Sequence, residues 1–157
     1  MDASATRAAC ARLVDAARDL EAAPAPEGGW GPGLVLAHVA VVHRLMAQMA
    51  ARALAGEQPT LDNRVSQSLP YLQAIVRAAG DWNGLLETVR CSGEELATVV
   101  EQIGPEHAGT MIPSYIVDGG RVVFDGPFPL EQLLAVPGAQ HTPGHCEQLE
   151  SLRVRQA

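Results

Sequence analysis

The run from about Pro32 to Ala55 constrains the fold of this chain more than any other feature. Its first half carries apolar residues nearly all round the helical wheel, the mark of an element with neighbours on several sides. Such a helix is expected at the centre of the fold, with Gly56 placed to stop it. The stretch Leu34 to Met49 is interrupted by His38, His43 and Arg44, which reads as too short and too polar for a membrane span.

The surrounding elements read as amphipathic helices. From about Ala3 to Ala22, the residues Ala9, Cys10, Leu13, Val14, Ala17 and Leu20 share one side of a wheel, and Arg12, Asp15 and Asp19 the other. The prolines and glycines from Ala23 to Gly29 then break any helix. A further helix is expected between about Asn63 and Ala79, interrupted by Pro70 and closed by Gly80. Asp81 is a good N-cap for the next, in which Trp82, Leu85, Leu86, Val89, Leu96, Val99, Val100 and Ile103 keep the 3.6 period up to Gly104-Pro105.

The texture then changes. Ser114-Tyr-Ile-Val and Arg121-Val-Val-Phe flank Asp118-Gly119-Gly120, a strong hairpin signal. A short helix begins at Pro129, Pro137-Gly138 disturbs it, and a last helix runs to about Arg155. Together these predict an all-α fold, a four-helix bundle with a short β-hairpin before the last helix, as one domain over residues 1–157.

With 157 residues and 47% hydrophobic content, the chain is long enough to bury a core without disulfides. Its 11 basic residues, all arginine, stand against 18 acidic ones, for a formal charge of -7. That field repels phosphate polymers, so no nucleic-acid partner is expected, and no membrane partner either. Cys10, Cys91 and Cys146 are an odd number without metal-ligand spacing, and nothing at the N-terminus resembles a secretory signal, so a reducing cytoplasm is the expected location.

The chemistry lies in the histidines. His141 and His145 are four residues apart, which brings both to one helical face within reach of one cation. That face continues into Leu149 and Leu152, so the pair is expected to point inward. His38 shares an interior stripe with Leu34, Val35, Val42, Leu45 and Met49, whereas His43 lies about 140° further round. His107 follows Gly-Pro-Glu and is expected to be exposed. Two readings stand: a metal site of His38, His141 and His145 with an open coordination position, or histidines separately hydrogen-bonded.

Thr142 stands where a zinc protease of the H-E-x-x-H type carries its Glu base, so protease chemistry is disfavoured. Pro143 either starts the last helix at N1, with Thr142 as N-cap, or kinks it from inside. Trp30 reads as a hydrophobic staple and Cys146 as a small core residue. Asp62 and Asn63 read as a cap, and Arg64, Arg121 and Arg153 as candidates to bind a carboxylate.

Trp30, the Leu36-Ala37-His38 opening of the second helix, and His141-x3-His145-x2-Gln148-Leu149 near the C-terminus resemble the DinB/YfiT-like superfamily. The hairpin from Tyr115 to Phe124, followed by Pro127-x-Pro-Leu and the histidine pair, is similar in particular to members related to the N-terminal domain of mycothiol-dependent maleylpyruvate isomerase. This resemblance covers about residues 5 to 155. It implies a four-helix bundle, often a homodimer, with a divalent metal, commonly zinc or nickel, held by His38, His141 and His145.

It also implies a low-molecular-weight thiol cofactor, of the mycothiol or bacillithiol type, activated for transfer to a small electrophile in S-transfer, isomerisation or detoxification. The alternative is a stress-associated metal- or ligand-binding bundle without turnover. An enzyme needs a cleft leading to the metal, whereas a structural site is closed by a fourth protein ligand. In a third reading Pro143-Gly144 displaces His141 and there is no metal.

Overall fold

A computed structural model describes residues 1–154. In chain order they form α1 (Ser4–Ala17), α2 (Pro32–Leu54), β1 (Leu61–Asp62), a 3-10 turn (Arg64–Gln67), α3 (Leu69–Ala78), α4 (Trp82–Glu101), α5 (Pro105–Ala108), β2 (Met111–Asp118), β3 (Arg121–Pro129), α6 (Leu130–Val136), a π-helical turn (Pro137–His141) and α7 (Thr142–Val154). The expected end of the last helix, Arg155, lies outside the described residues.

Helix α2 is central because almost every side of it has a neighbour. It packs against α4 and α3 and touches α6 and α7, while α1 lies across α4 and α7. The helix extends beyond the Leu34 to Met49 stretch on both sides, and over its full length α2 is long and apolar enough to cross a membrane by length and composition alone. Its apolar window is 72% buried inside the fold, so its hydrophobic surface is already covered.

Helix α4 starts where the sequence places it: Asp81 Oδ1 accepts from the Gly84 N–H at 2.7 Å. Gly93 interrupts its apolar pattern for a packing reason. A Cβ there would stand 2.5 Å from Cys10 Sγ, so glycine is what lets α1 lie directly on α4. Helix α1 ends at Ala17, earlier than its periodicity suggested, but Leu20 is still buried through the turn that follows. The helix expected from Asn63 begins only at Leu69. Pro70 falls in its first turn, where a missing N–H is tolerated, and the residues before it form the 3-10 turn.

The chain is mostly helical, as expected, and the expected hairpin is enlarged by one short strand into a small three-stranded sheet. Gly119 and Gly120, with φ of +53° and +77°, make the two-residue turn between antiparallel β2 and β3, pairing Asp118 with Arg121 and Met111 with Pro129. A bulge interrupts the ladder between Ile116 and Val117. Strand β1, which reads in sequence as a plain connection, pairs in parallel with Ser114 and Tyr115 of β2.

Helices α6 and α7 are joined without a break through the π-helical turn. Thr142 N–H donates to Pro137 O, five residues back instead of four. Thr142 has helical torsions and does not cap, so Pro143 does not start a separate helix. The wide turn falls just before Pro143, which has no N–H to offer the ladder. Gly138 is required inside that turn: a Cβ would meet Thr6 N at 2.7 Å and Ala5 C at 2.9 Å, so α1 rests on bare backbone.

Candidate metal centre

His38 comes from the buried side of α2, His141 from the end of the π-helical turn and His145 from the first turns of α7. One ring nitrogen from each lies within 4.8 Å of the other two. The ring centroids are 5.0 Å apart from His38 to either partner and 4.7 Å between His141 and His145. Pro143-Gly144 therefore does not displace His141.

Hydrogen bonds decide which nitrogen each ring offers. The Ser66 carbonyl can only accept, so at 2.7 Å it fixes the proton of His38 on Nδ1 and leaves Nε2 with a free lone pair. His145 Nδ1–H likewise donates to Gln148 Oε1 at 2.8 Å, which frees its Nε2. His38 Nε2 stands 2.9 Å from His141 Nε2, a separation that needs a proton or a cation between the two lone pairs. Two ligands of one tetrahedral zinc lie about 3.4 Å apart, from bonds of about 2.1 Å. Neutral imidazoles, two of them oriented from behind by an acceptor, are a donor set that fits zinc or nickel. Among the described residues, buried His141 Nδ1 has no hydrogen-bond partner.

Burial also keeps these rings uncharged. It pushes His38 down to about 4, against a weaker upward pull from the Ser66 bond. His141 is lowered to about 2, first by burial and then by the neighbouring histidines. His145 is lowered by burial, with Gln148 and Asp118 pulling the other way. All three are deprotonated at neutral pH, the state in which an imidazole ligates.

A cleft of about 690 Å³ opens onto the three rings. One wall is apolar, with Val42, Leu45, Met46 and Leu133, and the hairpin supplies the other through Ile116, Val117 and Asp118. Trp30, read as a staple before α2, packs against the core cluster that holds Val35 and also lines this cleft, its ring 5.2 Å from that of His38. Asn63, read as a cap, braces the hairpin wall. Val117 N–H donates to Asn63 Oδ1 at 2.8 Å, and Asn63 Nδ2 and Gln67 Nε2 both donate to Val117 O.

Other candidates lie elsewhere. Cys146 is fully buried, with Sγ toward the Ala9 carbonyl at 4.0 Å, as a core residue. His107 is half-buried on α5 beside Glu106, not exposed as expected. Arg64 pairs with Asp62 and stacks over Tyr115, Arg153 reaches Asp15 and Asp19, and neither they nor Arg121 line the cleft.

His43 was set apart from His38 by its helical position and is fully buried behind the site. Its hydrogen bonds form a directed chain. Ser92 O–H donates to Val89 O at 2.9 Å, so Ser92 Oγ accepts from His43 Nδ1–H at 3.4 Å, and His43 Nε2 accepts from Thr142 O–H at 3.1 Å. The chain ties α4 and α2 to the residue beside His141. No signal in the local sequence announces it.

No curated protein and no solved structure matches this chain. The family model for the mycothiol maleylpyruvate isomerase N-terminal domain matches residues 4–118, a span that takes in His38 and stops before His141 and His145. That span is well over half of the sequence, and the chain therefore belongs to the mycothiol maleylpyruvate isomerase N-terminal domain family, within the DinB-like superfamily.

Proposed function

We propose that this chain is a divalent-metal-dependent protein that activates a low-molecular-weight thiol of the mycothiol type for transfer to a small electrophile. The observation that supports this reading is the convergence of His38, His141 and His145 at the wall of an open cleft. Among the described residues this group has three ligating side chains and no fourth, which favours an exchangeable ligand over a closed structural site. His38, His141 and His145 would hold a zinc or nickel ion, which would lower the pKa of a bound thiol.

The protein's own residues do the rest. Ser66 and Gln148 hold two imidazoles in the ligating tautomer, and Trp30, the apolar wall and the hairpin give the cleft the lining against which an electrophile would pack. An activated alkene would take the thiol across its double bond, sulfur on one carbon and the thiol's proton on the other, so no oxidant or leaving group would be required. Metal content of untagged protein tests the reading by plasma mass spectrometry. About one zinc or nickel per chain, lost in His145→Ala, together with mycothiol-dependent consumption of an electrophile, is expected. No stoichiometric metal after incubation with zinc and with nickel overturns it.

A further inference from the structure

We propose that the cleft takes an uncharged, mainly apolar electrophile and rejects dicarboxylates, with Asp118 as the residue that sets this preference. The inference rests on the thiol-transfer reading of the same site and names its substrate class. Among the described residues lining the cleft, Asp118 is the only charged side chain, and it is an acid. The chain contains no lysine, and no described arginine lines the cleft. The amide NH2 groups on the hairpin side, of Asn63 and Gln67, both donate to the Val117 carbonyl, and the remaining amide at the cleft, Gln148, is uncharged and accepts from His145 through Oε1, so a carboxylate would meet no cationic partner among the described lining residues.

Charge balance leads to the same conclusion. A divalent cation held by the neutral imidazoles would be matched by one thiolate and the Asp118 carboxylate, which would leave nothing to compensate a dianion. An uncompensated carboxylate against Val42, Leu45, Met46 and Leu133 is strongly disfavoured, whereas an ester or ketone of the same shape buries apolar surface there.

A matched pair of unreactive probes, phthalate and diethyl phthalate, tests this by calorimetry on metal-free protein. Trp30 fluorescence in a Trp82→Phe background reports whether the probe occupies the cleft. The diester is expected to bind at least about tenfold more tightly and to perturb Trp30. Asp118→Asn is expected to strengthen phthalate binding about threefold, the scale of one exposed charge, and to leave the diester unchanged. Phthalate binding as tightly as the diester overturns the proposal, as does a diester that fails to bind or does not perturb Trp30, or an Asp118→Asn variant that leaves phthalate unchanged. Because the preference is read without metal, a protein that proves metal-free sinks the thiol-transfer reading without touching this result.

Discussion

The hydroxyl of Thr142 shows how much a single buried atom can control at this site. It donates to His43 Nε2, whose other nitrogen is held by Ser92, so the residue beside His141 is anchored from the far side of the core. Thr142→Val keeps the shape but strands a buried acceptor on His43, which costs roughly 1–3 kcal/mol in urea denaturation. A loosened His141 is expected to weaken zinc about tenfold and to shift the absorption bands of the cobalt-substituted protein. Thr142→Ser restores the hydroxyl and is expected to restore both, which a packing effect alone would not produce. The three candidate ligands were legible in the sequence because two share a four-residue spacing and the third sits on an interior stripe. The network behind them was not, since its members are 49 and 99 residues apart and each looks ordinary in its own segment.

At the scale of elements, the helix that carries His141 and His145 is wide in one place. The π-helical turn sits where α1 crosses, and Gly138 meets the backbone of Ala5 and Thr6 with no room for a methyl group. Gly138→Ala must therefore push α1 away, for a loss of roughly 1–3 kcal/mol and weaker metal retention. Gly144→Ala, six residues on, meets nothing within 4 Å among the described residues and is expected to gain about 0.5–1 kcal/mol from helix propensity and reduced unfolded-state freedom. Urea denaturation of the pair separates a glycine needed for close approach from one that is not. The helices and the hairpin were legible because apolar period and turn chemistry are local. The π-helical turn and β1 were not. A Pro-Gly pair reads as a break unless the α1 backbone pressing on it is known, and two strand residues carry no period at all.

Over the whole molecule, the buried imidazoles make stability depend on pH in a direction that can be worked out. His38 and His43 are pushed by burial to about 4 from an ordinary 6.5, and His141 lies lower still. Between pH 6.5 and 4 the unfolded chain binds these protons and the folded chain does not, so stability falls as pH falls through that window and is complete above it. For fully buried His43 alone the loss reaches about 3 kcal/mol by pH 4. The carboxylates contribute little in this range: Arg7 with Glu94 and Glu101, and Arg90 with Glu87, are exposed pairs whose acids titrate lower. Metal-free protein is therefore expected to lose thermal stability steadily from pH 6.5 to 4.5, with little change on adding 0.5 M salt, an addition of about that size being enough to screen surface pairs. Zinc at about a hundredfold excess over its Kd is expected to add about 2.7 kcal/mol at pH 7. That gain fades toward pH 4 as protons compete for the same nitrogens, and in His145→Ala it is absent at every pH. Thermal melts across pH, with and without zinc, check both trends; a flat profile between pH 6.5 and 4.5 would contradict the burial of uncharged imidazoles on which the site depends.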